Sequence, residues 1–128
     1  MRKSYLFILA TIGTVLSAAT VAVAQPPLCD AGGPYAGFVG KVVQFDGTRS
    51  SGVPPHVIVL YEWQFGDGAT ATGPTPTHVY AEAAVYDIVL RVTDDQQTQS
   101  ECTSTAVITL PTTVEVSTWG KIKSIYRD

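Results

Sequence analysis

Short runs of alternating apolar and polar residues fill the chain between residues 29 and 110, and clusters of Gly, Pro, Ser and Asp separate them. Alternation of this kind indicates β-strands, because successive side chains of a strand point to opposite faces. The two most regular runs place their large apolar side chains at period two: Val59, Tyr61, Trp63 and Phe65 in residues 56–65, and Tyr86, Ile88, Leu90 and Val92 in residues 85–93. Further strands are predicted at 29–31, 41–46, 77–80 and 102–110. The pattern therefore predicts an all-β domain, a β-sandwich of about seven antiparallel strands.

The first 24 residues follow a different pattern, in which Arg2 and Lys3 precede an uncharged stretch that ends at Ala22-Val23-Ala24. A positive start, an apolar core and a small-x-small ending are typical of a cleaved secretory signal. A transmembrane anchor is the alternative, because about 20 apolar residues can span a bilayer. We predict a signal peptide at 1–24, a short lead at 25–28, and a protein that is secreted, displayed at the cell surface or, in a bacterium, periplasmic.

Charge and size narrow the class of protein further. The chain has 128 residues and a formal net charge of −3, and residues 25–128 keep six basic and all eleven acidic residues, a charge of −5. An acidic chain of this length fits one small domain with an appendage and does not fit a basic nucleic-acid binder. The positive mean hydropathy of +0.18 comes largely from the N-terminal segment. We therefore predict no nucleic-acid partner and no membrane span in the mature chain.

Cys29 and Cys102 are the only two cysteines, and an exported chain meets an oxidising environment that favours their pairing. A bridge between them would close a loop across nearly the whole domain. The lower entropy of the unfolded chain would then stabilise the fold by about 4 kcal/mol. Two buried free thiols are the alternative.

Pro111 ends the alternating pattern, and residues 111–128 form a separate basic and aromatic tail. Ser117 could cap a short helix, because the apolar residues that follow it, Trp119, Ile122 and Tyr126, have the i, i+3, i+7 spacing of one helix face. Such a helix is marginal without a surface to pack on, so the tail packs on its own sandwich, docks on a partner or stays mobile. The candidate partner contacts in the tail are Trp119, Lys121, Ile122, Lys123, Tyr126 and Arg127.

The most specific string in the chain is Tyr61-Glu62-Trp63-Gln64-Phe65-Gly66-Asp67-Gly68. Three further blocks surround it in order: Ala31-Gly32-Gly33-Pro34 with Val43-x-Phe45-Asp46-Gly47, Pro76-x-His78-x-Tyr80, and Val85-Tyr86-x-Ile88-x-Leu90. Together they resemble the PKD domain, named for the polycystic kidney disease protein, over residues 29–110. The resemblance implies an Ig-like β-sandwich of extracellular proteins that serves as an interaction or spacer module.

The motif residues also have a plain structural interpretation. Tyr61, Trp63 and Phe65 would bury aromatic surface in the core, and the two glycines that follow would form a tight turn. A ligand-stacking role for Trp63 is the alternative, and His78 is expected to make a structural hydrogen bond. The predicted structural motif comprises Tyr61, Trp63, Phe65, Gly66, Asp67, Gly68, His78, Tyr80 and Tyr86.

The sequence departs from the family pattern at Gln64, where Asp is usual, and in the loop at 50–56, which has no carboxylate. The resemblance implies a calcium site in some members, built from acidic residues near that loop and near a Thr-Asp turn. Asp94 and Asp95 are the calcium candidates that remain, although a hard cation needs about six oxygen ligands. We predict no metal and no cofactor and expect these two residues to cap a solvated turn, with a calcium site as the alternative.

Motifs for catalysis do not occur: the chain has no G-x-S-x-G, no H-E-x-x-H and no phosphate-binding Gly-rich run. Glu62, Asp67 and Asp87 offer carboxylates for glycoside hydrolysis, but one small domain has no second lobe to form a cleft. We therefore predict a non-catalytic module that contacts an extracellular protein or polysaccharide. The alternatives are a structural spacer or tether that docks into a larger assembly through its tail and, third, a small secreted hydrolase.

Overall fold

A computed structural model describes residues 22–112, and this part of the chain contains seven strands and no helix. The strands are β1 (Tyr35–Phe38), β2 (Val42–Gln44), β3 (Ile58–Gln64), β4 (Thr70–Thr72), β5 (Thr77–Val79), β6 (Ala84–Asp94) and β7 (Gln99–Thr109). The predicted all-β fold with about seven strands is confirmed. A helix with the length and hydropathy to cross a bilayer is not found among residues 22–112.

Five strands form one sheet in the order β1-β7-β6-β3-β4, and β2 pairs with β5 in a second sheet. The centre of the larger sheet is the long β6–β7 hairpin, whose register runs from Ala84 opposite Ile108 to Thr93 opposite Gln99. All paired strands are antiparallel except β1, which runs parallel to β7. The prediction of antiparallel pairing throughout is wrong at β1, because this strand and β7 lie at opposite ends of the domain sequence and no hairpin sets their relative direction.

The two sheets bury a common apolar core. The predicted inward face of β6 is observed, because Ile88, Leu90 and Val92 are all fully buried. Aromatic rings join the two layers: the centroid of Phe45 lies 5.8 Å from that of Trp63 and 4.8 Å from that of Phe65. Such tilted aromatic pairs add to the free energy gained by burial of their apolar surface. The buried apolar side chains are Ala31, Val43, Phe45, Trp63, Phe65, Tyr80, Ile88, Leu90, Val92, Ala106 and Ile108.

The start of the domain differs from the sequence prediction. Residues 29–31 are not a strand; the first strand, β1, begins after the Gly32-Gly33-Pro34 segment. Gly32 has a φ of +62°, and a Cβ on this residue would lie 2.6 Å from the carbonyl oxygen of Asp46. Because only glycine accepts this conformation and this close approach, the segment turns instead of extending. A second difference is β4, which lies between the predicted strands at 56–65 and 77–80, where the sequence pattern predicts no strand.

A disulfide bond joins Cys29 to Cys102 across 73 residues, with 5.7 Å between the two Cα atoms. The predicted pairing is therefore present in the structure. It ties the segment before β1 to β7, in the same region where Leu28 forms an isolated bridge with Ser51. The lead into the domain is thus held by covalent and backbone contacts rather than by a sheet ladder.

Candidate interaction surfaces

The turn after β3 contains the end of the most specific sequence motif. Gly66 and Gly68 have φ values of +81° and +93°, and a Cβ on Gly66 would lie 2.7 Å from the carbonyl oxygen of Asp87. Asp67 stabilises the turn by accepting a hydrogen bond of 3.0 Å from the backbone N–H of Ala69. The glycines are therefore required by backbone conformation, as the motif indicates.

Trp63 lies in the core, with 1% of its surface exposed. Its indole N–H donates a hydrogen bond of 2.9 Å to the carbonyl oxygen of Gly73, just beyond β4. A buried ring whose one polar group is satisfied has no face left for a ligand. The structure therefore supports the core-packing interpretation of Trp63 and not the ligand-stacking alternative.

His78 and Asp67 form a close pair at the edge of the domain. The Nε2 atom of His78 lies 2.6 Å from Oδ2 of Asp67, and the imidazole stacks on the ring of Phe65 at 4.4 Å. The hydroxyl of Tyr80 donates to the carbonyl oxygen of Phe65, and burial raises the pKa of this hydroxyl well above its usual range. These contacts fasten β5 to the motif turn, so the histidine has a structural role in this arrangement.

The pKa of Asp67 predicts a pH dependence of stability. Burial acts to raise this pKa, but hydrogen bonds from His78 and from the Ala69 N–H, with the charge of His78, lower it below its usual range. The resulting stabilisation is present above the unfolded-state pKa of about 3.9 and is lost as the pH falls through the folded-state value. We expect Asp67→Asn to lower the free energy of unfolding at about pH 6, with a smaller loss at about pH 3.

Urea unfolding of the unmodified protein and of the Asp67→Asn variant, at about pH 6 and at about pH 3, measures the loss in the free energy of unfolding at each pH. The matched control is Asp87→Asn, which removes an exposed carboxylate from the outer face of β6. An equal loss at both pH values for Asp67→Asn would contradict the account.

Asp94 and Asp95 lie at the turn between β6 and β7. Asp94 is buried, and its Oδ1 atom accepts hydrogen bonds from the N–H groups of Gln96 and Thr98 at 2.9 and 2.8 Å. Oδ1 of Asp95 lies 2.9 Å from Nδ1 of His56. Asp94 is thus held by the backbone of its own turn and Asp95 pairs with a histidine that precedes β3. No group of three or more His, Cys, Asp or Glu side chains with metal-binding geometry is found in residues 22–112. A calcium site at Asp94 and Asp95 stays the untested alternative.

A β-bulge in β3 changes which side chains of this strand face solvent. Ile58 lies opposite Asp94 and Leu60 opposite Thr93, so Val59 has no partner in the β3–β6 register. Ile58 packs against the core, whereas Val59 is 55% exposed. The prediction that Val59 shares the inner face with Tyr61 and Trp63 is therefore wrong, because the extra residue shifts the alternation by one position.

The bulge leaves three apolar side chains in solvent: Val57 is 58% exposed, Val59 55% and Leu60 39%. We call these three residues the bulge patch. Sequence reasoning missed it, although one signal was available. Residues 57–60 are four consecutive apolar residues, a run that strict alternation cannot place on one inner face.

A second apolar surface lies on the outer face of the five-stranded sheet, across β6, β7 and β1. Val85 stands opposite Val107, and Val107 opposite Ala36, so the three form one cross-strand row. Phe38 follows on β1, and its exposed fraction is 48%, against 66% for Val85 and 41% for Val107. We call Ala36, Phe38, Val85 and Val107 the end patch. Farther along the same face most side chains are polar, as in the pair of Arg91 with Glu101 at 3.1 Å.

The remaining candidate residues lie outside the part of the chain that the structure describes. These are the tail residues Trp119, Lys121, Ile122, Lys123, Tyr126 and Arg127, and the signal segment up to residue 21. The predicted cleavage, the helical spacing of the tail and the tail contacts stay predictions.

Comparison with known proteins identifies the family of this chain. The PKD domain family matches residues 24–110. Collagenase ColA of Bacillus cereus is 42% identical over 71 residues, which are 54% of this chain and 7% of that protein. Collagenase ColQ1 of Bacillus cereus strain Q1 is 37% identical over 86 residues, 66% of this chain and 9% of that protein. The chain thus matches less than a tenth of the length of either collagenase.

Solved structures agree with the sequence matches. The structure of carbohydrate-binding modules from the β-sandwich superfamily aligns with a TM-score of 0.64 and 32% identity, over 70% of this chain and 36% of that one. The PKD1 domain of Vibrio anguillarum Epp aligns with a TM-score of 0.59 and 26% identity, over 69% of this chain and 99% of that domain. The family match spans most of the sandwich and the fold agrees with it, so this chain belongs to the PKD domain family.

Proposed function

We propose that this protein is a secreted, non-catalytic accessory module that binds an extracellular protein polymer through the bulge patch. The sequence relatives support the accessory role, because the shared segment is only 7% of one collagenase and 9% of the other. Their names support a protein polymer such as collagen as the ligand, and an exported chain would meet such a polymer outside the cell.

The observation that carries this proposal is the exposure of three aliphatic side chains at the start of β3 and immediately before it. Val57, Val59 and Leu60 are turned outward by the bulge, and bulges commonly re-aim side chains at functional places. Contiguous exposed apolar side chains on a small domain mark a contact surface. A patch of only three residues supports a weak contact, which suits a polymer that offers many equivalent sites.

Replacing Val59 by lysine is expected to weaken binding to insoluble collagen by about tenfold, because the contact loses a buried apolar side chain and gains a charge. Co-sedimentation of the purified secreted protein with collagen fibrils measures the change. The matched control is Gln64→Lys, which adds the same charge to an exposed position of the same strand. Unchanged binding of Val59→Lys, or an equal loss with Gln64→Lys, would count against the bulge patch.

A polysaccharide is the second candidate ligand, favoured by the TM-score of 0.64 with carbohydrate-binding modules. Sugar rings bind well to exposed aromatic rings. Among residues 22–112 the exposed aromatic ring is that of Phe38, in the end patch. Co-sedimentation with cellulose and chitin tests this alternative: retention that Phe38→Ser abolishes and Val59→Lys leaves intact would assign a polysaccharide ligand instead.

A further inference from the structure

The end patch lies where the chain leaves the sandwich. β7 ends at Thr109, which stands opposite Phe38 in the parallel register with β1. Leu110 follows with 69% of its surface exposed, and Pro111 cannot donate a hydrogen bond to continue the ladder. Residues 113–128 therefore begin next to an apolar surface for which the described residues provide no cover.

We propose that residues 113–128 fold back across the end patch and cover it, with Trp119 as the main apolar contact. The segment is rich in apolar side chains: Val114, Val116, Trp119, Ile122, Ile125 and Tyr126. The patch crosses three neighbouring strands, a width of about 10 Å. Seven residues from Thr112 to Trp119 span up to about 23 Å when extended, so the tryptophan reaches every part of the patch.

Charge favours the same placement. Residues 25–112 contain nine acidic and three basic residues, whereas residues 113–128 contain three basic and two acidic ones. Asp87 lies on the outer face of β6, two positions beyond Val85, and Lys121 and Lys123 closely follow Trp119. Exposed ion pairs of this kind add little affinity, so they orient the segment while the apolar contact holds it.

The tail is covalently connected to the sandwich, and this connection favours the chain's own tail over a second copy or a separate partner as the occupant of the end patch. A short linker gives the attached segment an effective concentration of the order of millimolar at the patch. A second copy at micromolar concentration would compete at a disadvantage of about a thousandfold. A weak contact therefore forms within one chain long before it forms between chains.

Acrylamide quenching of Trp119 fluorescence tests the proposal. The chain has two tryptophans, and Trp63 is 1% exposed, so the signal of a Trp119→Phe variant gives the Trp63 background to subtract. We expect Trp119 to be protected in the full secreted protein. Val107→Lys, in the patch, is expected to increase its quenching several-fold.

The matched control is Thr103→Lys, which adds the same charge to the same face of the same strand, outside the patch. Both positions are exposed, so neither substitution disturbs the core. Full quenching of Trp119 in the unmodified protein, or an equal increase with Thr103→Lys, would overturn the proposal. Protection that disappears on dilution would assign the patch to the tail of a second copy and would equally overturn it.

Zero-length carbodiimide cross-linking gives a readout that needs no substitution. The placement predicts an amide bond between Asp87 and Lys121 or Lys123 within a single chain, identified by peptide mass analysis. Cross-links from these lysines that reach only Asp95, an exposed residue just beyond the opposite end of β6, would place the tail elsewhere.

Discussion

Replacing Trp63 by alanine is expected to lower the free energy of unfolding by about 3–5 kcal/mol. The indole is 1% exposed, packs against Phe45 in the other layer and donates a hydrogen bond to the carbonyl of Gly73. The substitution removes all of these contacts and leaves a cavity between the two sheets. Because small domains are stable by only about 5–15 kcal/mol, the substitution would remove a large part of the stability of this one.

Guanidinium unfolding followed by circular dichroism measures this loss. The control is Val42→Ala, which truncates an apolar side chain of β2 that is 68% exposed and should cost less than about 1 kcal/mol. A Trp63→Ala protein as stable as the control would mean that the motif tryptophan is not a core residue. The ligand-stacking interpretation would then have to be taken up again.

Removing the disulfide is expected to have the second large effect. The bond between Cys29 and Cys102 closes a loop of 73 residues, and its loss should cost about 4 kcal/mol by chain entropy in the unfolded state. The double variant Cys29→Ala with Cys102→Ala tests this by the midpoint of chemical unfolding. Because the disulfide acts mainly by restricting the unfolded chain, its removal should leave the folded structure unchanged. The folded double variant should therefore keep the circular dichroism spectrum of the unmodified protein.

Reduction of the unmodified protein with dithiothreitol is the control for the double variant. It opens the same loop without changing a side chain, so its unfolding midpoint should fall by a similar amount. A midpoint that is the same with and without reductant would show that the two cysteines are not joined in the purified protein.

The strands with strict alternation could be predicted from the sequence, because one buried face imposes period two on them. The inner face of β6 is the clearest case. Trp63 and the turn at Gly66 could also be located, because they belong to the motif that resembles the PKD domain. The parallel pairing of β1 could not be predicted, since it depends on contacts with a strand about 70 residues away. Local sequence contains no information on the relative direction of such distant strands.

The two apolar surfaces were missed for related physical reasons. The bulge patch depends on one unpaired residue, Val59, and a single insertion in the register reverses the predicted faces of the residues before it. The end patch depends on the alignment of Val85, Val107 and Ala36 across three strands. Each residue is an ordinary strand residue by itself, and only the register brings them together.

The most direct test of the proposed function measures binding and cleavage in the same tube. The purified protein is incubated with collagen fibrils, and both the sedimented protein and the released collagen fragments are quantified for the unmodified chain, Val59→Lys and Gln64→Lys. The account predicts saturable sedimentation that Val59→Lys weakens about tenfold and Gln64→Lys preserves, with fragment release no greater than in a tube without protein. Fragment release that rises with protein concentration, or sedimentation that neither substitution changes, would contradict a non-catalytic module that binds through its bulge patch.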